Sequence, residues 1–349
     1  MEVIAVSSDA KSQWNAFVQA HYPPVGAFMQ TWEWGAFQQA LGRNAERFFV
    51  ASGGEPIAAF TLTNHTLPAG HSYGYAARGP VIATAHAANP ETVSEVLCTI
   101  RAWAHAHLPR AVFVRLEPPL PDLPTTMRER GFVAPSYYIQ PRFNHAIALG
   151  KPETDIAAGF HPSTRSNLQR ARNRGVTVAM KTVLAPSDWE IFFSMARDTI
   201  RRNSGTNAYP SQRYFQALAK TVPSLTSTRE SETLSLAAFF GYQNGEPAAA
   251  HFVLFFGPTA TYLYGASFSK NLSSKVTTYL HWQAMREANA RGYAWYDLGG
   301  VDPARWPTLT AYKRQFRGTE FSYAGNLDIL IRPFHYRAYN FFRRFKNFI

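Results

Sequence analysis

The sequence holds a single cysteine, Cys98, so neither a disulfide framework nor a cysteine-based zinc site can be built from it. No apolar run approaches the roughly 18 residues that span a bilayer. The opening MEVIAVSSDAKSQW lacks the cationic stretch and apolar run of a signal peptide, so a cytoplasmic chain is expected. Common catalytic signatures are missing too: there is no GxxxxGK[ST] phosphate loop, no GxGxxG, no HExxH and no GxSxG elbow. The 11 histidines are scattered, and His105 and His107 fall on different faces of one helix, so no metal is expected. Acidic residues are scarce in one part only. Residues 1–150 carry 10 Lys+Arg against 10 Asp+Glu, whereas 151–349 carry 25 against 13, so the whole net charge of +12 lies in the second part. That asymmetry points to a polyanion or an anionic surface as partner.

What is present fits two cores. A chain of 349 residues exceeds one comfortable core, and 46% hydrophobic with 15% aromatic residues supply material for two. The first part reads as mixed α/β. SQWNAFVQAH and WEWGAFQQALG have helical spacing, ERFFVASGGEPIAAFTLTNHT is a hairpin about Gly53-Gly54, and NPETVSEVLCTIRAWAHAHL is a long helix before the strand AVFVRLE. The second part repeats the order: the hairpin LSLAAFFGYQNGEPAAAHFVLFF, the strand ATYLYGASF, the helix KVTTYLHWQAMREANARG and the buried strand AWYDLGG. Both hairpins carry a similar string, GEPIAA from Gly54 and GEPAAA from Gly245. String and order together suggest an internal duplication. The boundary is expected near Gly150 and Pro152, and FSYAGNLDILI reads as a strand free to join either sheet.

Candidate chemistry sits in several places. HPSTRSNLQRARNRG predicts a helix capped by Ser163 or Thr164, with Arg165 and Arg172 on one face and Arg170 and Arg174 on another, a distribution suited to phosphates. Asp297 is expected to end a buried strand, with a sharp turn at Gly299-Gly300. If TAYKRQF is a strand, Tyr312, Arg314 and Phe316 face one side and Lys313 the other, held where it can stabilise developing negative charge. Glu117 ends the first buried strand, placed to orient an amine or to pair with Arg115. TIRRNSGTNAYPSQRYFQAL gathers Arg201, Arg202, Tyr209, Arg213 and Tyr214 around a turn. The closing FHYRAYNFFRRFKNFI interleaves aromatics with Arg337, Arg343, Arg344 and Lys346; docking on the first core and resting on an anionic membrane are both open to it.

MQTWEWGAFQQALG, YAARGPV, RLEPP, HPSTRSNLQRARNRGVTV, YLYGAS, YDLGGV and LTAYKRQF, in this order over nearly the whole chain, resemble the FemABX family of aminoacyltransferases, above all its short FemX type. The resemblance implies two tandem acetyltransferase-like (GNAT-like) α/β domains, mixed sheets flanked by helices. The first, 1–150 plus 323–349, would bind the precursor; the second, 151–322, would face the donor. The implied reaction moves an amino acid from aminoacyl-tRNA to the free amine of a peptidoglycan precursor's stem peptide, with no cofactor. Lys313 matches the lysine of the family's Phe-Lys pair and Tyr312 replaces its phenylalanine. Glu117 stands where the family has an aspartate near the acceptor, Tyr214 and Tyr264 match tyrosines of the precursor site, and Arg78 matches a lysine. The family's diphosphate-binding lysine has no counterpart, because Ala36 and Gln38 lie there, and an arginine falls at Pro210. Arg202 and Arg213 are the candidates to replace them. A nucleotide-linked (UDP) and a lipid-linked acceptor therefore both stay open, as does peripheral contact with the inner membrane face. An acyl-CoA-dependent N-acyltransferase on the same fold is the alternative; GASFSKNLSSKVTTYL lacks the usual glycine spacing of a pyrophosphate turn.

Overall fold

The computed structural model describes residues 1–135, 137–203, 209–228 and 232–345, residues 344 and 345 by backbone alone. In chain order come β1 (Glu2–Ala5), α1 (Lys11–His21), α2 (Trp32–Ala40), β2 (Ala45–Ser52), β3 (Glu55–Thr66), β4 (Ser72–Ala76), β5 (Val81–Ile82), α3 (Thr84–Ala87), α4 (Pro90–His107), β6 (Ala111–Leu116) and β7 (Phe132–Val133). Then follow β8 (Phe143–Ala148), α5 (Glu153–Gly159), α6 (Pro162–Asn173), β9 (Val176–Lys181), α7 (Pro186–Arg202), α8 (Gln212–Thr221), β10 (Ser235–Gln243), β11 (Glu246–Phe256) and β12 (Thr259–Ser267). The chain closes with α9 (Val276–Ala290), β13 (Trp295–Val301), α10 (Pro307–Arg314), β14 (Thr319–Ser322), β15 (Leu327–Leu330) and α11 (Pro333–Phe345).

Two compact units result: 1–23, 29–142 and 322–349 form one, while 24–28 and 143–321 form the other. β8 pairs with β13, so the division falls before β8 rather than at Gly150. The first unit's sheet runs β1-β2-β3-β4-β6-β15-β7 with β5 beside β3; the second runs β14-β8-β13-β12-β11-β10-β9.

The repeated order of the sequence is repeated architecture. β2, β3, β4, α4 and β6 correspond to β10, β11, β12, α9 and β13, and in each set a helix connects the final two strands, which are parallel. Both hairpin turns need positive φ at two positions, met by Gly53 and Gly54 (+59° and +87°) and by Asn244 and Gly245 (+53° and +80°). Register then shifts at the same place in each, so that Pro56 faces Ala51 and Pro247 faces Tyr242. A bulge is where a strand tolerates a residue without an N–H. That shared device explains why GEP recurs.

α4 begins where Asn89 Oδ1 accepts from the N–H groups of Glu91 and Thr92, and Val93, Val96, Leu97, Ile100 and Ala104 give it a buried stripe. That stripe joins Phe60, Val114 and Ile329 in the first core. In the second, Val276, Leu280, Ala284 and Ala288 of α9 pack with Phe239, Val253 and Tyr296. FSYAGNLDILI is not one strand. Gly325, at φ +105°, lies between β14 in the second sheet and β15 in the first. Arg115 of β6 then grips Asp328 of β15 through Nε and Nη2 at 2.7 and 2.6 Å, with both side chains fully buried.

Candidate active site

Lys313 does not sit on a strand. TAYKRQF lies largely in α10, whose inward positions Thr310 and Lys313 are three residues apart. The side chain is 5% exposed, and Nζ donates to the Gly300 carbonyl at 2.7 Å. Burial pulls its pKa down to about 8, against the pull of Asp297, which favours the ammonium. β13 runs through Gly299-Gly300 to Val301, so the expected turn is a register irregularity inside the strand, with Gly299 at φ +79°. Asp297 is fully buried; Oδ1 accepts from Gly299 N at 2.7 Å and Oδ2 from Asn144 Nδ2 at 2.9 Å. A carboxylate held this way fixes the bend that presents the Gly300 carbonyl to Lys313.

The neighbours of Lys313 are a buried polar layer that the sequence reading missed. His281 of α9 lies 4.3 Å from His251 of β11, 4.7 Å from Tyr262 and 6.0 Å from Tyr312, centroid to centroid, and its Nδ1 is 3.1 Å from Tyr296 Oη. Burial pushes the His251 pKa down to about 3. Burial, then His251 and Lys313, push that of His281 well below its ordinary value. Both rings are therefore neutral, and His281, the one that feels the Lys313 charge, does little to solvate it. Burial also raises Tyr312 to about 12. The available signal was a lone histidine inside each of two apolar elements, in AAAHFVLFF and YLHWQAM.

Tyr214 and Tyr264 are brought together: their rings meet at 88° with centroids 5.9 Å apart and their hydroxyls at 3.4 Å. In a regular strand Tyr262 and Tyr264 would share a face. A register shift pairs Phe252 with Tyr264 but Val253 with Tyr262, so the two rings meet different helices, α8 for Tyr264 and α9 for Tyr262. Tyr209 joins the first group, its hydroxyl donating to the Gly265 carbonyl. Residues 204–208 of the expected turn lie outside the described residues.

Arg202 is tied to its own unit. It donates to the Ser267 carbonyl and hydroxyl at 3.2 Å, to Ser269 Oγ at 3.0 Å and to Thr199 Oγ1 at 3.3 Å. Beside it a cavity of about 620 Å³ is lined by Ser194, Arg197, Asp198, Arg201, Ser269 and Lys270, with Phe268. Asp198 pairs with Arg201 and accepts from Ser269 N at 2.5 Å, so a backbone N–H at the start of 269–274 already holds a carboxylate. Arg213 is exposed on α8.

α6 carries Arg165, Arg170 and Arg172 on its exposed side, with Arg174 exposed at its C-terminal cap and Thr164, Leu168 and Ala171 buried. His161, not Ser163 or Thr164, is its cap, Nδ1 accepting from Ser163 N at 3.2 Å. Arg165 donates to the carbonyls of Ala158 and Phe160 at 2.9 and 3.0 Å, and Arg174 donates to that of Ser273. The Arg170 and Arg172 side chains make no hydrogen bond or ion pair among the described residues.

In the first unit Glu117 is 3% exposed and takes a hydrogen bond from Tyr75 Oη at 2.5 Å, with the N–H groups of Arg78 and Gln140 each at 3.4 Å. Burial raises its pKa, and the Arg78 guanidinium opposes that. Arg115 is not its partner, being held by Asp328. Arg78, in the left-handed region at φ +54°, lays its guanidinium 3.6 Å from the Tyr323 ring centre and donates to the Pro141 carbonyl at 2.6 Å. A carboxylate with a raised proton affinity can accept a proton from an amine.

The FemAB family model matches residues 10–131 and 224–344. No curated protein sequence matches. Among solved structures, the chain is similar to FemX, at 18% identity over 97% of this chain and 99% of that one, with a TM-score of 0.77. It is also similar to a tandem GNAT protein from the clavulanic acid biosynthesis pathway (10% identity, 95% and 98% covered, TM-score 0.53) and to L-PGS from Bacillus licheniformis (10%, 88% and 90%, 0.51). At such identities these likenesses establish the fold, a pair of GNAT-like units.

Proposed function

The chain belongs to the FemAB family, and from that premise we propose that it transfers an amino acid from aminoacyl-tRNA to the free amine of a peptidoglycan precursor's stem peptide. Family membership carries the coarse activity, a transferase of interpeptide-bridge formation acting on peptidoglycan precursors. The observation that most supports the donor and the chemistry is the desolvated ammonium of Lys313 beside Tyr312, in the unit that also bears the exposed Arg170 and Arg172.

The ester of an aminoacyl-tRNA is already activated. Transfer needs a neutral amine within about 3–3.5 Å of its carbonyl and a positive group where the oxyanion forms. With its pKa near 8, Lys313 is mainly protonated at pH 7, and low local polarity strengthens its field. An ammonium has three donors, of which one goes to Gly300. In this reading another meets the oxyanion or the adjacent tRNA phosphate. Glu117 orients the acceptor amine and takes its proton, with Tyr75 and Arg78 setting its proton affinity. Tyr214 and Tyr264 contact the precursor, with Arg202 on the same side, and Arg165, Arg170, Arg172 and Arg174 follow the tRNA backbone. Arg78 lines the precursor side.

Acyl-CoA as donor is the second reading, favoured by the tandem GNAT likeness. Against it stands Asp198 on Ser269 N, in the turn where a pyrophosphate would sit. Purified protein offered charged tRNAs or acyl-CoAs, with UDP-linked and lipid-linked acceptors, separates them by the mass of the product. Transfer from charged tRNA is expected. Transfer from acyl-CoA alone would overturn the proposal. In the Arg170→Ala/Arg172→Ala variant, tRNA should bind more weakly, the slope of log affinity against log salt falling by roughly 0.9 per arginine; an unchanged slope would remove α6 from the tRNA path.

A further inference from the structure

α11 packs with its tyrosines and leaves its phenylalanines outside. Tyr336 is buried against Val112 and Phe113, with Tyr339 alongside, and the Arg343 guanidinium lies over the Tyr137 ring. At 100° per residue those positions form one face. Phe334, Ala338, Phe341 and Phe342 point the other way, and the phenylalanines are 82, 57 and 66% exposed. Such a concentration of exposed aromatic surface on one helix face calls for a partner. Arg337 flanks it, exposed. From Ile329 to Ile349 the sequence has five cations, Arg332, Arg337, Arg343, Arg344 and Lys346, and no acid. The side chain of Arg344 and the whole of Lys346 lie outside the described residues.

We propose that this face of α11 docks the protein on an anionic lipid bilayer, its phenylalanines entering the headgroup–acyl boundary and Arg337 beside them meeting lipid phosphate. Among the described residues no helix is long and apolar enough to cross a membrane, so the contact is peripheral. The chemistry of the face selects lipid over a second copy of the chain. At roughly 200 Å² per phenylalanine, these exposures offer on the order of 400 Å², half of the about 800 Å² per partner of a stable protein interface. Two copies would also bring like charges together. A bilayer accepts a narrow apolar stripe and rewards flanking cations, giving reversible, salt-sensitive binding.

The proposal goes beyond the reading of the active site, and its test needs no transfer. The full chain and the Phe334→Ser/Phe342→Ser variant are sedimented with vesicles of phosphatidylcholine, or of phosphatidylcholine with phosphatidylglycerol. The wild type should pellet with the anionic vesicles and not the neutral ones. The variant should lose at least tenfold in partitioning at an unchanged thermal midpoint, since the replaced side chains are mostly exposed. Absence of wild-type binding to anionic vesicles, or equal binding by the variant, overturns the proposal. A concentration-dependent dimer that the same substitutions abolish also overturns it and assigns the face to a second copy.

Discussion

Replacing Lys313 by methionine should make the protein more stable and less active. Methionine has the reach of the lysine stem but no charge to desolvate. The drop of the lysine pKa from 10.5 to about 8 is the cost of carrying the charge at this site, about 3 kcal/mol. Lys313 is 5% exposed, so solvent screening takes little from that figure. Losing the hydrogen bond to the Gly300 carbonyl returns roughly 1 kcal/mol, leaving a net gain of about 2 kcal/mol at pH 7. The sign depends on pH. Between about 8 and 10.5 the unfolded chain holds a proton that the folded wild type has shed, so wild-type stability rises with pH across that window. The methionine variant keeps its full advantage below pH 8, loses it as pH climbs, and falls behind above 10.5, where only the missing hydrogen bond counts. Thermal or denaturant unfolding of both proteins at pH 7 and pH 10 measures this, while single-turnover transfer should fall by at least 100-fold, as expected for removing one group that stabilises the transition state. A variant less stable at pH 7, with no change of the difference at pH 10, would refute the account of a desolvated ammonium. Wild-type turnover would refute its catalytic role.

Tyr75→Phe removes the hydrogen bond that holds down the proton affinity of Glu117. The acid limb of the kcat/KM profile should move to higher pH, and a limb that stays in place would exclude Glu117 as the ionising base. Asp328→Ala leaves Arg115 buried without its carboxylate and takes an acceptor from Tyr336. Equilibrium denaturation should show a loss of about 3–5 kcal/mol, with Asp328→Asn retaining part of the difference; a loss below about 1 kcal/mol would mean that the pair does not hold β15 in the first sheet.

Local pattern was informative wherever one short-range cause governed an element. Gly53-Gly54 and Asn244-Gly245 supply the positive φ that a tight hairpin needs, and the apolar stripes of α4 and α9 mark long helices. Pattern misled where two periods fit the same few residues. Over TAYKRQF, alternation and helical spacing compete, and the inward lysine counts as polar, which hides the buried stripe of α10. FSYAGNLDILI was misread because its β propensity runs on either side of Gly325, whereas the partners of its two parts belong to different sheets. The separation of Tyr262 from Tyr264 depends on a shifted register with β11, and strand alternation contains no record of it.

The sequence by itself determined the doubled arrangement of hairpin, helix and strand, the basic second part, and the family to which the motifs belong. These follow from side-chain period, turn chemistry and net charge, each written in neighbouring residues. Tertiary structure alone decided that Lys313 is desolvated with a neutral His281 within reach of its charge, that Glu117 answers to Tyr75 and Arg78 while Arg115 is held 213 positions away by Asp328, and that the phenylalanines of α11 face outward. A group's proton affinity and exposure are set by whatever surrounds it in space, and here those surroundings come from segments far apart along the chain.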